Sequence, residues 1–295
     1  MATIINHDLR VVDGGTVYMP PWEEGNAEWG NLKRPSVYLG NLTQEYPTGT
    51  IWRHGLRTFI YTRMDATYYG TGGGAIGAGW VGSTSMEYVP LPNLVVTATA
   101  GASTIVLERS GTTVNEFAGG FIGIKNSTGG WGTPGRFAYF QIISNTVADG
   151  DDYVTFTLDG ALVLAYAVGA ADCVVAANPY SLTRLSQDAS ADYGMSTGIF
   201  THTTVASEYC WIQTGGPCMA VGVWATFEGS DPGSVPIFAV GGNVQASMGK
   251  TSSLIASGYE AVAHQCIGWS WPSSNISSTP TDRTTAIAIF LTIFN

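Results

Sequence analysis

Charge is what this 295-residue sequence has least of. Only 12% of its residues are Asp, Glu, Lys or Arg, where an average soluble domain has roughly 25%. Its surface must therefore be built from Ser, Thr, Asn and Gly or be covered by other subunits, which points to an assembly subunit more than to an enzyme. Lysine is nearly absent, with three residues (Lys33, Lys125 and Lys250). There is no Lys/Arg run and the net charge is −10, which argues against nucleic acid as a partner, because phosphate binding needs a basic surface. Four cysteines (Cys173, Cys210, Cys218 and Cys266) are too few and too scattered for a disulfide framework, and none forms a Cys-x-x-Cys pair. Buried free thiols are expected, and in an oxidising place Cys210 and Cys218 would face each other across a hairpin. The first residues lack the apolar core of a signal peptide, so the expectation is synthesis and assembly in the cytosol. Long hydrophobic runs are missing too. The strongest, 286–294, is about half the length of a membrane helix and reads as a central strand buried between layers, with no membrane partner.

What the sequence does contain favours strands. Nine Trp and fourteen Tyr accompany abundant Val, Thr and Ile, which suit a pleated, half-buried surface. The expected fold is all-β, with two β-sandwich or barrel regions and an extended, loop-rich N-terminal arm. The boundaries fall at 1–92 (arm, hairpin and Gly-rich connector), 93–180 (first β region) and 181–295 (second β region). Residues 1–50 hold Pro, Gly and aromatic anchors such as Tyr18, Trp22 and Trp29 without periodicity. A hairpin follows at 50–63, and 69–83 is a glycine-dense connector. Segments 94–99 and 104–108 flank Ala100-Gly101-Ala102 as a hairpin pattern, and 153–158 alternates Val154, Phe156 and Leu158 with Thr155 and Thr157. Further strands are expected at 120–125, 136–143, 198–203, 208–214, 218–227, 235–240, 261–271 and 284–294. Only 161–168 has any helical character, and no repeat of fixed period is present.

Chemistry-bearing motifs fail on context. Gly72-Gly73-Gly74-Ala75-Ile76-Gly77 fits the letters of a dinucleotide loop, but without the flanking strand and helix it reads as a connector. Gly249-Lys250-Thr251 lacks the first glycine of a phosphate loop, which falls at Val244. Asp149, Asp151 and Asp152 offer oxygens to a cation, yet Tyr153 stands at the fifth loop position and the turn reading is favoured. The Asn-x-Ser/Thr triplets at Asn41, Asn126 and Asn275 read as turns. His7, His54, His202 and His264 accompany no nucleophile elbow, and His264 reads as a core or interface residue. No catalytic, metal or cofactor site is expected.

Two features suggest attachment. Residues 1–63 carry six basic residues (Arg10, Lys33, Arg34, Arg53, Arg57 and Arg63) against six acidic ones, so the rest of the chain holds the whole net negative charge. Surfaces of different charge imply different neighbours. The second feature is Tyr209-Cys210-Trp211-Ile212-Gln213-Thr214, which as a strand puts Tyr209, Trp211 and Gln213 on one face, with Gly215-Gly216-Pro217 turning into 218–227. The plain reading is a core hairpin; the sharper one is an aromatic face that meets a neighbouring subunit. The candidate interface residues are Arg53, Arg57, Tyr61, Arg63, Tyr209, Trp211 and Gln213. The alternative for the arginines is pairing with Glu23, Glu24 and Glu28 within the chain.

Three ordered segments carry a resemblance: 49–62 with Arg57-Thr58-Phe59-Ile60-Tyr61, 117–122 followed by Ile142-Ile143-Ser144-Asn145, Thr157-Leu158 and Asn178-Pro179-Tyr180, and 209–216. Together they resemble a family of tailed-bacteriophage structural proteins, found among aquatic phages, that decorate or cement the capsid. The resemblance covers about three-fifths of the chain, and residues 221–295 depart from it. It implies a virion protein on the outer capsid surface that binds between major capsid subunits, commonly as a homotrimer. A tail or spike component recognising host glycans is the runner-up, and a polysaccharide hydrolase the third reading.

Overall fold

The computed structural model describes residues 9–12, 14–20, 35–65, 81–84, 88–91, 94–126, 137–185, 196–222, 236–240, 243–246, 266–270 and 285–293. These residues are all-β, with strands, turns and bridges and no helix. The chain divides into two compact units, the smaller built around Met86–Asn178 and the larger from Leu9–Met19, Asn26–Ser85 and Pro179–Asn295. The larger unit opens with β1 (Leu9–Val12), β2 (Gly15–Tyr18), β3 (Ile51–His54), β4 (Arg57–Arg63) and β5 (Val81–Thr84).

The smaller unit consists of β6 (Tyr88–Leu91), β7 (Thr104–Glu108), β8 (Phe121–Asn126), β9 (Phe137–Asn145), β10 (Tyr153–Leu158) and β11 (Ala171–Ala176). They form one antiparallel sheet in the order β6-β11-β8-β9-β10-β7. Its strands follow the period-two rule: Ile105 and Leu107, Ile122 and Ile124, Val154, Phe156 and Leu158, and Ala171, Cys173 and Val175 all point to one side and are buried. Segments crossing between strands add Leu94, Phe117, Leu162 and Tyr166 to the same core. The 104–108 strand pairs with β10, while 94–99 makes only isolated bridges, Leu94 to Leu107 and Ala98 to Tyr166. Within 161–168 the latter bridge is flanked by bends and a turn, with no helix. The helical character gives way because Tyr166 and Ala98 exchange both backbone hydrogen bonds, at 2.9 and 2.8 Å.

The larger unit continues with β12 (Thr183–Leu185), β13 (Ser196–Phe200), β14 (Tyr209–Gly222), β15 (Pro236–Val240), β16 (Asn243–Ala246), β17 (Cys266–Ser270) and β18 (Thr285–Thr292). All twelve strands of this unit belong to one sheet organised on β14. Its first half pairs with β4 and β13; its second half pairs with β18 and touches β16, and β16-β15-β17-β18 leads back to β14. The 284–294 segment is thus interior as expected: β18 lies between β14 and β17, and Ile289 and Leu291 are fully buried.

Two sequence expectations change here. Gly215-Gly216-Pro217 makes no turn; the strand runs straight on through a register irregularity between Gln213 and Gly215 and exchanges one partner for another. Gly216 is required there, because its φ is +81° and a Cβ would lie 2.0 Å from the Leu56 carbonyl oxygen. A bulge of this kind re-aims a strand without ending it. In consequence Cys210 and Cys218 sit eight positions apart on one strand, ~26 Å at the rise of an extended chain, far beyond disulfide reach, and both are free thiols. The other concerns part of the N-terminal region, of which 9–12 and 14–20 are described. Residues 9–18 are a β-hairpin that joins the sheet through β3, held because Val17 and Trp52 bury the same face. The connector 69–83 ends in β5, which pairs with β12 and β13.

Candidate functional site

Alternation on β3, β4 and the first half of β14 sorts their side chains into two faces. On one lie Trp52 and His54, then Arg57, Phe59, Tyr61 and Arg63, then Tyr209, Trp211 and Gln213; the register sets Tyr209 opposite Arg63, Trp211 opposite Tyr61 and Gln213 opposite Phe59. Six of the seven sequence candidates therefore share a face. Arg53 is the exception, on the opposite side of the sheet, where its guanidinium lies 5.4 Å from the Tyr18 ring centroid.

The middle of the shared face is a core. Trp211 meets Tyr46 at 5.1 Å edge-on, Tyr61 at 5.0 Å and Trp52 at 6.3 Å, and all four are buried. Each such pair contributes about 0.5–1.5 kcal/mol beyond the area it buries. A strap covers them. Val37 and Tyr46 pack onto the rings, Asn41 and Tyr209 exchange backbone hydrogen bonds at 2.9 and 2.7 Å, and the Glu45 amide donates to the Tyr61 hydroxyl at 3.1 Å. Burial pushes the Tyr46 and Tyr61 phenols well above their ordinary range. Gly40 is fixed within the strap because the Glu208 side chain occupies the space a Cβ would need. Tyr61, Trp211 and Gln213 are thus covered by their own chain. The plain reading of the Trp211 segment as core holds for these three, and the reason lies in residues 35–46, whose sequence shows no periodicity to mark them as a lid. The opposite face is equally filled, by Ile60, Cys210 and Ile212 against Met64, Tyr180 and Phe200.

The ends of the face are different. At one end Arg63 is exposed, with its guanidinium 5.5 Å from the ring of half-buried Tyr209. At the other, half-buried Arg57 lies 4.6 Å over Phe59. Its Nε and Nη2 both donate to Gln213 Oε1, at 3.0 and 2.7 Å, and its Nη1 donates to the Tyr38 hydroxyl at 2.8 Å. Gln213 is locked in turn, since its Nε2 donates to the carbonyls of Gly215 at 3.0 Å and Pro217 at 2.8 Å, just past the strand irregularity. Among the described residues no carboxylate pairs with Arg53, Arg57 or Arg63; the ion pairs there are Arg109 with Glu116 and Lys125 with Asp172. The positive charge of Arg57 reaches Cys218, whose thiol burial pushes up to about 12 against the opposing pull of the arginine. Tyr38, which bonds to Arg57, and exposed Leu56, which precedes it in the chain, were not singled out in the sequence, and nothing local marks them.

Elsewhere the polar clusters serve the fold. Asp149 accepts from the amides of Asp151 and Tyr153, both at 2.9 Å, so that carboxylate is an Asx-turn residue. Asn145, buried, accepts from the Phe117 amide at 2.8 Å and donates to the Thr113 and Thr146 carbonyls at 2.9 and 2.8 Å, pinning the 113–117 loop. His202 is half-buried beside Glu208 and Val37; burial lowers its imidazole pKa against the opposing effects of that carboxylate and backbone. His54 is exposed and stacks on Trp52 at 5.3 Å. No group of three or more His, Cys, Asp or Glu is placed to hold a metal ion among the described residues. His7, His264, Trp22, Trp29, Glu23, Glu24, Glu28, Asn275, Cys266 with regard to its side chain, and the segments 72–77 and 249–251 lie outside the described residues.

Compared with protein-family models, with curated proteins and with solved structures, the chain matches none.

Proposed function

We propose that this chain is a non-enzymatic structural protein of a bacteriophage virion. On this reading it decorates or cements the outer capsid surface by binding between major capsid subunits, as a homotrimer assembled in the host cytoplasm. The observation that carries the proposal is the set of three arginines, Arg53, Arg57 and Arg63, each held over an aromatic ring and none paired with a carboxylate among the described residues. On a chain of net charge −10, cations fixed in place without a counter-charge among the described residues suit an acidic partner surface, and Arg with Tyr is the composition of interface anchors. The ordered resemblance over residues 49–220 supports the choice of partner. Because 9–18 and 35–46 are built into the sheet and its lid, deletion of the N-terminus would unfold the unit, so point changes are the sharper test. Purified particles imaged by cryo-electron microscopy should carry this protein at regular lattice points, and Arg53→Glu/Arg63→Glu should abolish occupancy with the fold retained. Particles lacking it at any lattice position would overturn the proposal.

One observation favours the glycan-recognition reading. Tyr139, 70% exposed, stacks on Phe121 at 5.2 Å and 11° on the outer face of the smaller sheet, and flat aromatic pairs of this kind accept sugar rings. Binding to a host-glycan array that is lost in Tyr139→Ala would support it over capsid decoration.

A further inference from the structure

We infer that Arg57, with the rim around it, is a preorganised receptor for a side-chain carboxylate presented by an acidic segment of the partner protein. This deepens the attachment proposal and rests on it for the partner, though the chemistry of the site is argued from the side chains alone.

A guanidinium has five N–H donors and no acceptor. Arg57 uses three of them, two on Gln213 and one on the Tyr38 hydroxyl, which leaves one hydrogen each on Nη1 and Nη2. Those two terminal nitrogens are the fork that a carboxylate meets bidentately. Every partner of Arg57 among the described residues is neutral, so no described group neutralises its positive charge. The orientation is fixed at little further entropic cost. Gln213 is anchored to two backbone carbonyls, Phe59 backs the guanidinium plane at 4.6 Å, and Tyr38 holds the remaining edge at 2.8 Å. Ordering a long cation before binding removes a cost that association otherwise carries.

The surroundings select the ligand. Leu56, 75% exposed, immediately precedes Arg57, and Tyr38 and Leu39 are 59% and 69% exposed. These are large apolar side chains; Tyr38 hydrogen-bonds to Arg57, and Leu39 and Leu56 are the chain neighbours of that pair, so exposed apolar area rims the centre along the chain. That arrangement, an Arg and Tyr centre ringed by contacts that exclude water, is how binding energy is concentrated at interfaces. A free inorganic anion would leave the apolar rim wet, and a neutral segment would leave the charge unanswered. An Asp or Glu flanked by apolar residues answers both.

The test uses the full chain, 15N-labelled, with an N-acetylated tetraglutamate peptide as probe and its tetraglutamine counterpart as control, at about 0.15 M salt, where the distant negative charges of the chain are screened beyond ~8 Å. The expected result is a saturable shift of the Arg57 Nε–H resonance with tetraglutamate and none with tetraglutamine. Arg57 also clamps Tyr38 to Gln213, so its own replacement would mix binding with folding. The rim residue Leu56 separates them: Leu56→Asp should weaken and Leu56→Lys should strengthen tetraglutamate binding, about tenfold apart, with the melting temperature unchanged in both. No shift with tetraglutamate, an equal shift with tetraglutamine, or equal affinity in the two Leu56 variants would each overturn the inference and leave Arg57 an internal clamp. Particle occupancy read in parallel distinguishes the two proposals. Peptide binding without decoration sinks the virion reading alone, and decoration indifferent to Leu56→Asp sinks the carboxylate receptor alone.

Discussion

The two β-units reach the same end, a buried apolar core under hydrogen-bonded strands, by opposite uses of the sequence. In the smaller, six strands from one stretch of chain form an antiparallel sheet in which no strand has more than two partners, and β7, β8, β10 and β11 place alternate residues in one core. In the larger, one 14-residue strand, β14, collects partners from both ends of the chain. Arg57 and Gln213, which touch, are 156 positions apart. The contrast teaches where the energy is sensitive: a sheet without a dominant strand distributes its loss over many equivalent strands, whereas a sheet built on one strand concentrates it there.

The largest expected effect tests that concentration. Ile289 is fully buried and faces Cys218 of β14 across the ladder. Ile289→Asp would place an unpaired charge where desolvation exceeds what a total stability of about 5–15 kcal/mol absorbs, so soluble yield should vanish. Trp211→Ala and Phe156→Ala set the two cores side by side. Both side chains are fully buried, in the larger and smaller unit respectively, and each truncation should cost about 3–5 kcal/mol in denaturant titrations. Trp211 meets three other aromatic rings, so its loss should fall at the upper end, and equal costs would weaken the argument for β14 as the focus. A finer probe compares two glycines of positive φ. Gly216→Ala meets the Leu56 backbone, whereas Gly101, at φ +87°, has nothing within 4 Å; Gly101→Ala should cost only the ~1–2 kcal/mol of a left-handed residue, and Gly216→Ala clearly more.

The smallest effect is a pH dependence in the larger unit. His202 has a folded pKa below its unfolded value of about 6.5. The unfolded chain therefore binds the proton first, and the stability due to the buried neutral imidazole is complete above about pH 6.5 and declines as pH falls toward the folded pKa. Urea midpoints measured from pH 7.5 to 5.5 should fall for the wild type and fall less for His202→Gln. Identical slopes would remove His202 from the account.

Much of the fold could be read directly. Strands β7 to β10 of the smaller unit, the hairpin at 50–63 and the interior place of 285–292 follow from alternation and from a two-sided apolar run, whereas β6 and β11 were not expected. The facing of Tyr209, Trp211 and Gln213 opposite Cys210, Ile212 and Thr214 follows from the same rule. The candidate site was half legible. Arg57 and Arg63 stand out by charge on a lysine-poor chain, but Tyr38, Leu56 and the lid that buries Tyr61 and Trp211 have no local signature. Gly215-Gly216-Pro217 misleads for a physical reason: glycine and proline mark any departure from regular backbone, and a bulge that exchanges partners uses the same residues as a turn that reverses the chain.

What the sequence by itself determined is whatever depends on near neighbours: the β class, the inward and outward sets on each strand, and a surface so poor in charge that its few arginines carry weight. Tertiary structure decided which strands pair, that β1 and β2 add to a sheet through β3, that one aromatic face became core while its two ends kept their arginines, and that Cys210 and Cys218 stay apart. Pairing partners and lids are chosen by the burial they achieve together. A strand edge offers the same backbone donors and acceptors to any comer, so no single segment encodes its neighbour; only the packed whole does.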